Sequence, residues 1–169
     1  KIAEDGEILI KGENVMLGYW NNKEDTEKAI KDGWLHTGDI GEIDKSDGYL
    51  KITDRKKDII VSSGGDNISP AKIENQLLNH PEIEQCMIYG DGKSYLVALI
   101  VAKEEFKIKV DETVKEVNKN LTIIEKIKKI HIISDNFSIN NDLLTPTMKV
   151  KRNKVIKKYK NILENLYKH

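Results

Sequence analysis

Hydrophobic and polar positions alternate through GEILIKG (6–12) and along both arms of GEIDKSDGYLKITD (41–54), the period of half-buried strands, with Ser46, Asp47 and Gly48 at the tip of the second stretch. One helix is expected between them, over 23–31, after the capping pair Asn21-Asn22 and before the turn Asp32-Gly33. Past the charged run Asp54-Arg55-Lys56-Lys57-Asp58 the pattern changes to alternating strands and helices. A strand is expected over 59–62 and a turn at Gly64-Gly65. Ser69 as N-cap and Pro70 as first helical residue then open a helix that stops at Asn79-His80-Pro81. Strands follow over 83–89 and 95–102. Val114, Val117, Leu121 and Ile124, spaced three and four apart, predict one buried helical stripe, and 129–133 reads as a further strand. A polar loop, SDNFSINNDLLTPT (134–147), leads to a closing helix with Val155, Tyr159, Ile162 and Leu166 on one face.

These periods divide the chain. Residues 1–53 make a β-rich piece too small to hold a core alone, 54–58 a hinge linker, and 59–169 a mixed α/β domain whose sheet is flanked by helices. A total of 169 residues excludes a large multi-domain enzyme. The longest apolar run, Tyr95 to Ala102, is too short to cross a bilayer as a helix. Lys plus Arg equals Asp plus Glu at 28 each, so the overall field favours neither nucleic acid nor an anionic surface, although 149–160 (KVKRNKVIKKYK) contains no acid. The lone Cys86 sits in an apolar stretch. It excludes an internal disulfide, reads as a packed small hydrophobe and suits a reducing compartment, so the parent protein is expected inside the cell, in the cytoplasm or peripheral to a membrane. The opening KIAEDGEILI has no leader pattern and begins inside a strand-like alternation, as in a piece of a longer protein.

Four segments carry more than their structure requires. In Gly33-Trp34-Leu35-His36-Thr37-Gly38-Asp39 the carboxylate reads as a turn or capping residue, or as an acceptor for both hydroxyls of a ribose diol, and spacing does not choose. The run 54–58 is a solvated connector, or it offers Arg55 to a ligand between two domains. Gly64-Gly65 is an ordinary turn before a helix, or a place where backbone approaches a ligand closely; it is no Walker loop, because no Gly-Lys-Ser/Thr follows. Lys149, in LTPTMKVKR, is a solvated charge or a mobile one delivered to a phosphate. At about 4 Å and an effective dielectric near 20 such a pair is worth about 4 kcal/mol. His36, His80, His131 and His169 stand apart without metal-ligand spacing, so no metal site is expected, and no GxSxG elbow supports a serine hydrolase.

In order, GEILIKGENVMLGYW, DGWLHTGDIGEID, GYLKITDRKKDIIVSSGGDNISPAKIE and LLTPTMKVKRNKV resemble the late motifs of the adenylate-forming superfamily of acyl-CoA synthetases, luciferases and peptide-synthetase adenylation domains. DRKKD, the Gly-Gly before NISP, and TPTMKVKR are most similar to long-chain acyl-CoA synthetases. The resemblance implies an ATP-dependent, AMP-forming ligase that turns a fatty acid into an acyl-adenylate, using Mg2+, and passes the acyl group to coenzyme A. It implies that Asp39 and Arg55 hold the nucleotide ribose, that Asp54 sits at the hinge, and that Lys149 reaches the α-phosphate. Gly64 and Gly65 would line the pantetheine path, with Glu74 in a supporting role. Asp66 departs from the glutamate more usual there. The phosphate loop, adenine pocket, magnesium-binding glutamate and acyl tunnel of such enzymes would precede Lys1. The chain alone is therefore expected to be inactive, to bind ATP weakly at best, and to have the N-terminal domain of its own protein as partner. Two other readings remain: the lid of an aryl or amino acid activating branch, and a basic binding module built on 149–160.

Overall fold

In a computed structural model, which describes residues 1–168, the chain separates after Asp58 into two compact units. His169 lies outside the described residues.

The first unit is built on one long strand. β1 (Glu7–Ile10), α1 (Lys23–Ala29), β2 (Ile30–Lys31), β3 (Trp34–Ile43) and β4 (Leu50–Arg55) follow in order, and β1, β2 and β4 all pair antiparallel with β3. Asn22 caps α1, its side-chain oxygen accepting from the Asp25 N–H at 3.1 Å. The helix ends at Ala29, two residues before the expected end, because Ile30 and Lys31 turn back to pair with Leu35 and Trp34. Asp32 and Gly33 both take positive φ, 52° and 75°, the conformation a two-residue hairpin loop demands. The hairpin around Ser46-Asp47-Gly48 forms as expected, with Ile43 opposite Leu50.

In the second unit, β5 (Ile60–Val61) and β6 (Asn67–Ile68) form a small hairpin ahead of α2 (Pro70–Leu78). Ser69 caps α2 by accepting from the Lys72 N–H at 3.3 Å. β7 (Ile83–Tyr89), β8 (Leu96–Ala102), α3 (Val110–Lys119), β9 (Ile127–Ile133) and α4 (Arg152–Asn165) complete it. β7 runs antiparallel and β9 parallel to the central β8, which gives the mixed sheet flanked by helices that the alternating pattern predicts. β8 is buried throughout, and its alternation splits the core. Leu96, Ala98, Ile100 and Ala102 join Ile73, Leu77 and the α3 stripe on one face. Val97, Leu99 and Val101 face Phe137, Leu144, Val155 and Leu163 on the other.

Two expectations are corrected and a third is extended. Ile124 is 45% exposed, because α3 ends at Lys119 and Thr122 and Glu125 cap a 3-10 turn that breaks the helical period after Leu121. The loop 134–147 is not simply polar: Phe137, Leu143 and Leu144 are each buried in the second core. In α4 the expected residues Val155, Tyr159, Ile162 and Leu166 all pack on the second core, the last two half-buried, and buried Leu163 joins them; non-helical torsions at Tyr159 (φ −103°, ψ 17°) kink the helix. Cys86 is packed as expected, and burial pushes its thiol far above the usual range.

Candidate functional site

Asp39 and Arg55 face each other across β3 and β4, and Arg55 Nε lies 2.8 Å from Asp39 Oδ1. Gly38, with φ 71°, turns the chain just before Asp39 in a conformation that favours glycine. Beneath this pair lies a residue that sequence reasoning missed. Glu7, 4% exposed, takes the Gly38 N–H on Oε1 at 2.9 Å, Lys56 Nζ on Oε2 at 2.9 Å and faces His36 Nδ1 at 3.0 Å. Lys56 also reaches Asp5 at 2.6 Å, and its own N–H donates to the Gly38 carbonyl at 2.8 Å. The signal was present: Glu7 shares a strand face with Leu9, and a charge at an inward position needs partners.

Burial alone would raise the Glu7 carboxyl, but Lys56, His36 and the Gly38 N–H outweigh it and hold it below its ordinary value of 4.5. A depressed folded-state value means stabilisation that is complete above the unfolded value and lost as pH falls through the folded one. In Glu7→Gln this chain should therefore have a lower thermal midpoint than wild type at about pH 7, and the gap should close towards about pH 3. Tryptophan fluorescence reads the first unit alone, since Trp20 and Trp34 both lie there. A gap that does not change with pH would mean that Glu7 acts through shape and not charge.

Asp54, expected at the hinge, is a β4 residue opposite Ile40 and only 8% exposed. Asp54, Arg55 and Lys56 are all tied to β3 or its turn, so large torsional change there would break the sheet edge. The first residues beyond those ties are Lys57 and Asp58.

In the second unit, Gly64 and Gly65 form the tip of the β5–β6 hairpin, where Gly65 takes φ 89°. Ser62 Oγ accepts from the Gly64 and Asp66 amides and donates to Asp66 Oδ2, each at 3.1 Å, so the shortened acid at 66 caps its own loop. The hairpin is pinned to the β7–β8 turn by Ser63 N–H to Lys93 C=O at 2.9 Å. Between them is a cleft of about 210 Å³, lined by Ser62, Ser63, Gly64, Asp66, Lys93 and Tyr95. It is below the size of a nucleotide-sized site and admits one end of a thin chain.

Lys149 sits not on a free loop but at the base of a tight hairpin. Leu144 bridges to Val150, the Thr145 N–H donates to Lys149 C=O at 2.8 Å, the Met148 N–H to Thr145 C=O at 2.9 Å, and the Lys149 N–H to Thr145 Oγ1 at 3.0 Å. Pro146 fits the first corner of the turn, and Met148 takes φ 64° where glycine is favoured, a strain on the order of 1 kcal/mol. The Lys149 side chain is exposed and its ammonium has no partner among the described residues. Its neighbours are engaged: Lys151 and Lys154 both bind Asp142, holding that carboxyl down at about 2. Glu74 accepts from the Ile88 N–H at 2.7 Å and from Arg152 Nη2 at 2.6 Å. Asp39 and Arg55 thus come together in the first unit, while Lys149, Glu74 and the Gly64-Gly65 turn belong to the second. Among the described residues no group of three or more His, Cys, Asp and Glu could hold a metal ion, and no helix is long and apolar enough to cross a membrane.

Residues 57–169 match the model of the AMP-binding enzyme C-terminal domain family. The chain belongs to that family. Among relatives of this AMP-binding enzyme C-terminal domain is the long-chain-fatty-acid–CoA ligase FadD15 of Mycobacterium tuberculosis, 39% identical over 99% of this chain and 32% of its own length. Human long-chain-fatty-acid–CoA ligase 6 is 37% identical over 96% of this chain and 27% of its own length. The chain therefore spans about a third or less of the curated relatives it matches. Among solved structures, the A-PCP didomain of carboxylic acid reductase from Segniliparus rugosus, in complex with AMP, superposes with a TM-score of 0.86 at 27% identity, over 96% of this chain and 25% of that one. The o-succinylbenzoate CoA synthetase of Bacillus subtilis with its acyl-adenylate intermediate gives 0.73 at 30% identity, over 88% and 30%.

Proposed function

We propose that this AMP-binding enzyme C-terminal domain, with the β-rich piece before it, belongs to a fatty acid–CoA ligase. The fatty acid carboxylate attacks the α-phosphorus of ATP, pyrophosphate leaves, and the coenzyme A thiol then displaces AMP from the acyl carbonyl. The observation that carries the reading is Lys149: an exposed ammonium without a described partner, at the fixed end of a hairpin, among neighbouring cations that are already paired. Such a charge has no ion pair among the described residues to break before it meets an oxyanion, and stabilising the negative charge that builds on the α-phosphoryl group is the step it suits.

Asp39, steadied by Arg55, keeps lone pairs for the two hydroxyls of the ATP ribose, and Arg55 is the second ribose contact. Glu7 sets the Gly38 turn that aims Asp39. The cleft beside Gly64 and Gly65 suits the narrow pantetheine arm of coenzyme A. The pivot between the two reactions is assigned to Lys57 and Asp58, past the last sheet ties. Mg2+ would arrive with ATP; no group of three or more His, Cys, Asp and Glu among the described residues fits it, so no step is assigned to it. The chain alone should be inactive, because it spans about a third of its relatives. Higher identity to a fatty-acid ligase, 39%, than to the o-succinylbenzoate CoA synthetase structure, 30%, supports the fatty acid branch over an aryl-activating one. A basic binding module on 149–160 has less support, since Arg152 is committed to Glu74 and Lys151 and Lys154 to Asp142, and the chain's charges balance at 28 of each sign.

The test is ATP–pyrophosphate exchange by the full-length protein with fatty, aryl and amino acids. Exchange driven by long-chain fatty acids, followed by acyl-CoA formation, is expected. Exchange driven by an aryl or amino acid instead would move the protein to another branch.

A further inference from the structure

We infer that Arg152, working through Glu74 and the backbone of Ile88, is a positioning residue for Lys149. The inference rests on the reading of Lys149 as the adenylation lysine.

β7 is an outer strand of its sheet, with β8 on one side and no strand on the other among the described residues. A lone strand edge leaves backbone groups to be satisfied. At Ile88 two side chains take the place of a missing neighbour. Its N–H donates to Glu74 Oε1 at 2.7 Å, its carbonyl accepts from Arg152 Nη1 at 3.2 Å, and Arg152 Nη2 closes the ring on Glu74 Oε1 at 2.6 Å. Both side chains are 17% exposed, so solvent offers weak competition. One guanidinium thereby ties α2, β7 and the first residue of α4.

That first residue is also the foot of the Lys149 hairpin. The Lys151 N–H donates to Leu143 C=O at 2.9 Å, Val150 bridges to Leu144, and Lys149 is bonded to Thr145 through both its N–H and its carbonyl. From Arg152 back to Lys149 each step is fastened, and Met148 is held at φ 64° although its side chain disfavours that region. The backbone of Lys149 therefore has one defined position in the unit, and the remaining freedom lies in its side chain. Arginine is the residue type this task needs: two acceptors, a carboxylate and a carbonyl, are met from one planar fork, which a lysine ammonium does not reproduce. Among the many lysines of 149–160 it is the one arginine, a signal visible in the sequence but without meaning until Ile88 is placed beside it.

The experiment uses the full-length protein with Arg152→Lys, Arg152→Gln and Glu74→Gln beside Lys149→Ala. Misplacing a reacting group by about 1 Å costs on the order of a hundredfold. Arg152→Gln should lower kcat for ATP–pyrophosphate exchange by about ten- to a hundredfold, with the KM for ATP little changed. Thioester formation from supplied acyl-adenylate, which does not use Lys149, should stay near wild type. Arg152→Lys should recover only part of the loss, and Glu74→Gln, whose carbonyl still accepts from Ile88, should fall between. Independently of activity, hydrogen exchange at the Ile88 and Lys149 amides should speed up at least about tenfold in Arg152→Gln. If Lys149→Ala abolishes exchange while Arg152→Gln retains it, or if both half-reactions fall together, or if the Lys149 amide is no less protected, the positioning role is overturned. If wild type exchanges with no carboxylic acid, the adenylation reading itself fails and the role falls with it.

Discussion

Lys149→Ala in the full-length protein is expected to lower ATP–pyrophosphate exchange by roughly two to three orders of magnitude, the largest single effect of any substitution at an exposed position. A charge pair at about 4 Å in a medium of effective dielectric near 20 is worth about 4 kcal/mol, or about a thousandfold in rate if gained only in the transition state. Some of that is recovered by water and by neighbouring dipoles, hence the lower end of the range. The same substitution should leave stability within about 0.5 kcal/mol, because the side chain is exposed and makes no described ion pair. Thioester formation from supplied acyl-adenylate should survive. A variant that folds, transfers the acyl group and fails only to adenylate would identify the lysine by its step. Normal exchange would mean that another cation meets the α-phosphate.

Most of the architecture was legible because the second unit obeys simple periods. The apolar stretches 83–89 and 95–102 became β7 and β8, and Ser69-Pro70 opened α2 as cap chemistry requires. What local spacing does not reveal are contacts between residues far apart in the chain. Glu7 and Lys56 are 49 positions apart, and Glu74 and Arg152 are 78, so nothing in local spacing links them. The 134–147 segment misled for a different reason. Its abundance of Asn, Ser and Asp reads as solvent-exposed loop, yet its polar groups are satisfied at short range, as when the Asn141 side chain bonds both Ser138 N–H at 2.9 Å and Asn136 C=O at 2.8 Å, and Phe137, Leu143 and Leu144 turn inward while Ile139 stays exposed. The candidate site followed the same division. Resemblance drew attention to Asp39, Arg55 and Lys149, whereas the groups that hold them in place, Glu7 and Arg152, needed the fold.

Leu144→Ala should be among the most destabilising single changes near the site, by about 2–5 kcal/mol, and should disable adenylation by a route opposite to that of Lys149→Ala. Leu144 is 2% exposed and packs in the core that includes Val97, Leu99, Phe137, Val155 and Leu163. Its N–H donates to Ser138 C=O at 3.0 Å, and it bridges to Val150, so it is at once core residue and hairpin strand. Truncation leaves a cavity under the hairpin, and a close-packed interior fills such space only in part. A domain's whole stability is typically about 5–15 kcal/mol, so this loss is a large fraction of it. Far-UV circular dichroism during urea unfolding gives the measure, since tryptophan reports only the first unit. Ile124→Ala, at a side chain 45% exposed, is the control and should shift stability by no more than about 0.5 kcal/mol. If Leu144→Ala costs less than about 1 kcal/mol, the hairpin is not anchored through the core. Lys149 would then be held by its polar ties alone, and Arg152 would have to supply more of the placement than its bonds to Ile88 and Glu74 suggest.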